Sequence, residues 1–507
     1  MESLKSFTKL TNYKFYGLIL LFCLAHLLFW GYEGSGNDMI EVVPVLKKMQ
    51  HPELYTGDFH IEFNESLILH ERTFLNNFLN LIGAENPLIL FIAYFLCLFA
   101  FILGLSHLTE VLGLTKHSKY LSILLILFIA PYSSVGGNEL FYNMAVGSCF
   151  AKTLGIWCLV FYLRNNIISS FFLLSIATYF QVLAGFQLFL IIGTLTFIDI
   201  FSSEKNETKN KLAAIILFCL LCLPYLLALV YSRVKLHNHG SGLFDLLEFR
   251  IGHHFLIQYS SIIHIFIFYF LFFSGLYLWS KSNRLIFKFY LLQGVIMLFY
   301  IGATTIYKSE FVLQMQWLKT TIWIELFSIL ALVGLIEKIT HKFSFTWLQY
   351  CNYLLVMMIL CVATVKQIKR NDLFKEEHDL AIWVKNNTNI KSLLVVPPDF
   401  THFKTWSERS SWVDFKAISH QIAYLFPWYD RIHTIYKINL ETRKSGINLM
   451  NQAKFNYQKI DEKTLDYLFD QQMVNYVILP VNAFYSEQFK VVFHSKSYLI
   501  LTKKSDY

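Results

Sequence analysis

The stretch Ile167–Phe201, "IISSFFLLSIATYFQVLAGFQLFLIIGTLTFIDIF", decides how this chain is threaded. It is apolar almost throughout and too long for one ordinary bilayer span of about 20 residues. A polar break, "QVLAGFQ", lies near its middle. Read as a tight pair of helices, 167–183 and 185–201, it brings the following cluster "SSEKNETKNK" back to the side it left. Read as one span, it would put that cluster and every later loop on the opposite side.

The rest of the chain supports the pair. Of 507 residues, 55% are hydrophobic and only 15% charged, too apolar for a soluble globular protein. Heavy use of Phe (49) and Tyr (29) suits aromatic rings at bilayer interfaces. Apolar runs fall near 15–32, 88–112, 120–135, 141–163, 212–231, 255–279, 285–304, 320–337 and 347–365, which with the pair predict about eleven helices. That number puts Lys5/Lys9/Lys14, Lys116/Lys119, Arg164, Lys205/Lys209/Lys211, Lys281/Arg284 and Lys338/Lys342 all on the cytoplasmic side, as the positive-inside rule asks. The net charge of +8 is therefore a topology bias and no sign of nucleic-acid binding.

The first run, Phe15–Gly31, has no Ala-x-Ala cleavage site and is long enough to be a span. All eight cysteines lie in or beside apolar runs, so no disulfide framework and no Cys-x-x-Cys metal site is expected, while a divalent metal held by other ligands stays open. Cys219 and Cys222 are two small apolar residues within a span. The N-terminus is then cytoplasmic. The polar pieces 33–87 and 366–507 face each other across the outer surface, dividing the chain into a membrane module, 1–365, and an outer domain, 366–507. Within the latter, "EEHDLAIWVKNNT" and "EKTLDYLFDQQ" read as helices, and "KSLLVVPP", "SSWVDFKAI" and "VNYVILP" as strands of an α/β unit. No Gly-rich phosphate loop, HExxH or GxSxG occurs there.

The first outer loop opens with "GNDMIEVVPVLKKM". Asp38 with Glu41 three residues later resembles a capping box. Met39, Val42, Val43, Leu46 and Met49 fall at helical spacing, as on a helix lying at the membrane surface, with Pro44 interrupting it. Asp38 reads either as that cap or as a carboxylate at the water–lipid boundary able to meet a substrate with a lipid tail. Arg72, Lys308 and Lys319 lie outside near span ends, placed for a phosphate or for snorkelling. Lys152, inside the fourth span, is expected to pair with Glu325 and to lie some 20 Å deeper than Glu139 at 1.5 Å per residue. His237-Asn238-His239 and His253-His254 read as solvated loop histidines, there being no third metal ligand in register. Gln181 and Gln187 are expected to satisfy backbone groups freed at the break.

Four patches resemble the GT-C superfamily of integral-membrane glycosyltransferases, which includes protein O-mannosyltransferases, aminoarabinose transferases and oligosaccharyltransferase catalytic subunits. They are "GNDMIEVVPVLKKMQHPELYTGD" (36–58), "GGNELFYN" (136–143), "QWLKTTIWIELF" (316–327) and the tail "WVKNNT…LLVVPPDF…WSERSSWVDFK". The resemblance implies a polytopic helical membrane protein that moves a sugar from a polyprenyl-phosphate carrier to a glycan, lipid or protein acceptor outside a bacterial inner membrane. It implies Asp38 as general base, Glu139 as second acidic residue, and Arg72, Lys319, Lys308 and Asp58 in substrate binding. No Asp-Glu or Asp-x-Asp pair marks a divalent metal site. The rival readings are a lipid-linked glycan polymerase or ligase, a flippase or transporter, and an inactive scaffold. The missing internal repeat counts against transport.

Overall fold

The structure is a computed structural model that describes residues 13–132, 135–202, 204–235, 242–340, 346–370, 374–442, 446–483 and 485–504. Lys5, Lys9, Lys342 and His237-Asn238-His239 lie outside these. The Ile167–Ile200 stretch is two helices, Ile167–Phe180 and Val182–Ile200, joined through the single extended residue Gln181. Gly185 is what lets the second helix fold back on the first, because a Cβ there would come within 2.4 Å of the Thr178 backbone nitrogen. The chain is a multi-pass membrane protein. Among the described residues six helices are long and apolar enough to cross a bilayer: Tyr13–Trp30, Pro87–Val111, Val182–Ile200, Lys205–Ser232, Ile262–Ser282 and Arg284–Thr305. Gly147–Leu163, Ile167–Phe180 and Tyr350–Lys366 are shorter apolar helices. The last belongs to the longer helix Thr346–Arg370. Thr321–Thr340 is buried along most of its length and is held by Tyr290 donating to the Ile324 carbonyl (2.9 Å) and Trp279 to that of Phe327 (3.0 Å).

The C-terminal unit is built on a five-stranded mixed sheet of order β2-β1-β3-β5-β4: β1 Leu393–Val395, β2 Ser410–Ser411, β3 Tyr476–Pro480, β4 Phe489–His494 and β5 Tyr498–Lys503. β1 pairs in parallel with β2 and β3, and β5 runs antiparallel to β3 and β4. Alternation sorts the side chains, since successive strand residues point to opposite faces. Val477, Leu479, Leu499 and Leu501 join the core under helix Ile422–Tyr436, while Ile478 and Ile500 meet Leu380 and Val384 of helix Lys375–Asn387. Expected strands at 391–398 and 474–480 are present. The one expected at 410–418 is a strand only at Ser410–Ser411, with one more bond from the Trp412 N–H to the Leu394 carbonyl (2.8 Å), and the β4–β5 hairpin is an addition to the expected strands.

Three expectations need correction here. The run 255–279 becomes a helix only from Ile262. Before it, Leu243–Phe255 forms an amphipathic helix whose Leu246, Leu247 and Phe249 pack into the core of the C-terminal unit. The helix expected over 141–163 starts at Gly147, because the residues before it form a loop with two left-handed glycines, Gly136 and Gly137. The single helix expected from Asp38 onward is split, and its apolar stripe packs into protein. The first loop has a 3₁₀ turn, Asn37–Glu41, followed by a helix, Val43–Gln50, that takes Pro44 in its first turn, where the missing N–H costs nothing. Met39, Val42 and Leu46 are buried.

Two buried ionic clamps tie that loop to the C-terminal unit. Lys404 sits between Asp58, both of whose carboxylate oxygens it reaches at 3.1 Å, and Asp414 at 2.5 Å. Asp58 also accepts from the backbone of Ile61 (3.0 Å), capping helix Phe59–Glu65, and of Ser411 (2.9 Å). His402 lies between Glu33 (3.1 Å) and Glu377 (3.6 Å), so close to the turn at Gly36 that a Cβ there would strike the imidazole.

Candidate functional site

With the loop fastened this way, a cavity of about 560 Å³ remains between the membrane helices and the C-terminal unit. Its charged lining comes from Asp38, Glu41, Glu71 and Arg72 of the first loop, Glu139 of the 136–146 loop, Arg250, Lys319 and Lys416. Its apolar lining includes Phe180, Val182 and Leu183 at the break between the paired helices, with Leu226, Leu229 and Val230 from the next one. Four sequence-nominated residues, Asp38, Arg72, Glu139 and Lys319, thus line one space. Asp58 and Lys308 are not among its lining residues. Asp58 is fully buried in the Lys404 clamp, and Lys308 is exposed, with its ammonium 5.7 Å from the ring of Phe244.

Asp38 is no helix cap, since the 3₁₀ turn begins at Gly36 without any side-chain cap bond. Its side chain is 48% exposed, open to the cavity, and its nearest ionic partner is Lys416 at 3.2 Å. Enclosure by protein alone would raise this carboxyl, but Lys416, Arg72 and Lys319 outweigh it and hold Asp38 below the usual carboxylate range. Glu139 goes the other way: enclosure pushes it up, Lys152 only partly opposing, and Asp38 adds repulsion. Enclosure also lowers Lys319 to about 8 despite the nearby Asp38 carboxylate. Two carboxyls and a lysine in one cavity are therefore driven to different protonation behaviour, as acid–base chemistry requires.

Lys152 does not do what the sequence suggested. Among the described residues no ion pair joins it to Glu325. Instead its ammonium donates to Asn138 Oδ1 (2.8 Å) and to the Glu139 carbonyl, and lies 4.4 Å from the Tyr142 ring. The late start of the helix at Gly147 brings Lys152 up to the loop carrying Glu139, where a straight helix through 141–163 would have held it far below. Tyr142 donates to the same Asn138 oxygen (2.7 Å), and Asn138 donates to the Lys319 carbonyl (2.8 Å), so one polar cluster orders both segments.

His253 and His254 are half-buried cavity residues rather than solvated ones. Their rings lie 4.1 Å apart, and His254 Nδ1 meets the Gly136 carbonyl at 2.7 Å. Burial lowers His253 to about 4 and His254 further. Gln187 donates across to the carbonyls of Met315 and Gln316 and not to its own turn, while Gln181 lines the cavity. No group of three or more His, Cys, Asp or Glu able to hold a metal ion occurs among the described residues.

Sequence reading passed over Glu71, Arg250, Lys416 and His420, and took Glu41 only for the partner in a capping box. Glu41 is buried against Arg72 and accepts from the Ile418 backbone (2.9 Å). Arg250 donates to the Phe415 carbonyl (3.0 Å) and packs on the Phe415 and Trp428 rings. Burial lowers it to about 10. A lone arginine inside "LLEFRIGHHFLI" was the available signal, because a cation amid apolar residues must face protein or water. For Lys416 and His420 the signal was polar residues four apart in a segment too apolar to be a solvated loop.

Residues 375–435 match the model of a domain family of unknown function, DUF6798, which takes in the Lys404 clamp and the Lys416 segment. No curated protein matches. Among solved structures, the arabinofuranosyltransferase AftD from Mycobacteria, determined as a mutant by cryo-electron microscopy, superposes with a TM-score of 0.50 at 11% identity. The alignment covers 96% of this chain and 41% of that one, so the chain spans about two fifths of the length of its structural relative. At that identity the likeness concerns the overall fold alone. Over 96% of its length the chain shares its overall fold with that arabinofuranosyltransferase.

Proposed function

We propose that the protein is a membrane glycosyltransferase that takes a sugar from a polyprenyl-phosphate donor and passes it to an acceptor hydroxyl on the outer side of a bacterial inner membrane. The observation that carries this reading is the mixed lining of one cavity: carboxylates and cations from the outer loops together with apolar side chains of the membrane helices, Phe180, Val182, Leu183, Leu226, Leu229 and Val230. A lipid-linked sugar phosphate joins the same two kinds of chemistry. In this reading residues 1–365 form the membrane module, with about eleven spans, and 366–507 the outer domain.

The acceptor oxygen attacks the anomeric carbon, the bond from that carbon to the phosphate oxygen breaks, and its electron pair leaves with the phosphate. Asp38 takes the acceptor proton, a role typically contributing about 10²–10⁴-fold. Lys319 and Arg72 stabilise the charge developing on the leaving phosphate. Glu139, whose carboxyl is raised by enclosure, is the second acidic residue of the site. Attack opposite the leaving phosphate inverts the anomeric centre.

The test is transfer by the purified protein from a polyprenyl-phosphate sugar, with Asp38→Asn beside wild type. Asp38 caps nothing and is half-exposed, so the variant should fold like wild type and lose at least about 10²-fold in turnover. Near-normal turnover would remove Asp38 from the chemistry. No transfer by wild type from any such donor would sink the reading.

A further inference from the structure

The residues Phe415–Gln421 cross from β2 to helix Ile422–Tyr436 without secondary structure and form one wall of the cavity. Every second residue meets a different carboxylate of the first loop: Lys416 with Asp38 (3.2 Å), the Ile418 N–H with Glu41 (2.9 Å) and His420 with Glu71 (3.1 Å). The backbone of this strap is pinned from the other side. Arg250 donates to the carbonyls of Phe415 (3.0 Å) and Lys416 (3.4 Å), and Tyr424 to that of Ala417 (3.1 Å). Neighbours on the strap are buried, but the Lys416 side chain keeps 34% of its surface exposed. The main chain is fixed while the ammonium, on a long flexible stem, is free to change partners within the cavity.

Resting on the proposed transfer reaction, we infer that Lys416 is a donor-contacting residue. It pairs with Asp38; when a phosphate-bearing donor enters, its ammonium moves to the phosphate and leaves the Asp38 carboxylate open to the acceptor hydroxyl. The physical ground is competition for one cation. A phosphate monoester or diester presents more negative charge and more acceptor oxygens than a carboxylate, and a lysine ammonium binds either as a point charge. An Asp38 still clasped by Lys416 is a poor proton acceptor, so this exchange ties base activation to donor arrival. The C-terminal unit thereby supplies a group that touches substrate.

The experiment titrates farnesyl phosphate, a short prenyl monophosphate, against detergent-solubilised protein with no acceptor present, and reads binding by thermophoresis. Lys416→Met should weaken binding about tenfold, the size of one charge-assisted contact, with Lys416→Arg recovering most of it. Asp38→Asn should tighten binding by about fivefold, an ordinary coupling for groups in contact, because Lys416 no longer has to leave a partner. That gain should vanish in the Lys416→Met background. Glu139→Gln removes a carboxylate from the same cavity that does not pair with Lys416, so its effect should be the same in both backgrounds. An Asp38→Asn gain that persists without Lys416, or a Lys416→Met variant that binds like wild type, overturns the inference and leaves the proposed function standing. A wild-type protein that does not bind the probe overturns both.

Discussion

Replacing Lys404 by methionine should be the most damaging single change in the polar half of the molecule, and it should do its damage through stability. Lys404 is 1% exposed, Asp58 0% and Asp414 5%, and the ammonium is the only cation that the structure places in contact with both carboxylates among the described residues. In the wild type, burial works against the Lys404 charge, but Asp414 and Asp58 override it and raise this lysine above its ordinary value. Its stabilising contribution is therefore complete below the unfolded lysine value and is lost only as pH rises through the folded one. Methionine fills the space but leaves two buried carboxylates facing each other without a cation. Breaking a buried pair this way costs about 3–5 kcal/mol. For a 507-residue chain unfolding as one unit that is roughly 1 °C per kcal/mol, so Tm should fall by about 3–5 °C. The sign with pH is fixed too. In the variant, the buried carboxylates hold protons more tightly folded than unfolded, so acidification should restore stability and narrow the gap to wild type. Differential scanning fluorimetry in detergent across neutral and mildly acidic pH measures both. A variant that melts with wild type at neutral pH, or a gap that widens on acidification, would refute the assignment of this triad as the structural clamp.

Lys319→Ala should weaken use of a lipid-phosphate donor more than Lys319→Arg, since a charge near the phosphate is what matters there; equal donor use by the alanine variant and wild type, at matched protein level, would reduce Lys319 to a structural lysine. The Glu33–His402–Glu377 clamp has its own pH signature. Burial opposes protonation of His402, but the two glutamates raise it to about 9, so its stabilisation is complete below about 6.5, the unfolded value, and is lost as pH rises through about 9. His402→Gln should therefore be less stable than wild type at neutral pH and converge with it in alkali, and parallel melting curves across that range would contradict the clamp. Cysteines placed singly at Glu62 and Asp430 should both be modified by an impermeant reagent from outside, whereas labelling of only one would break the proposed topology.

The paired helices at 167–200, the polar first loop and the strands at 393–395 and 476–480 were legible in the sequence, because each is written in the hydropathy and turn chemistry of neighbouring residues. Position beside apolar runs singled out Asp38, Arg72 and Lys319, the resemblance added Glu139, and the fold brings all four to one cavity. What the sequence could not do was tell Asp38 from Asp58. Both are acidic residues in Gly/Asn-rich turns of one loop, yet Asp58 caps a helix and is buried against Lys404, while Asp38 faces a cavity. Nor could it place Lys152, whose neighbours depend on a helix starting six residues later than hydropathy suggests. The partners that separate these residues lie far along the chain: Glu33 and His402 are 369 positions apart, and Asp58 and Lys404 are 346. Local periodicity reports which face of a segment is apolar. Which charges meet is decided by how the segments dock, and here the C-terminal unit brings Lys416, His402 and Lys404 onto the first loop.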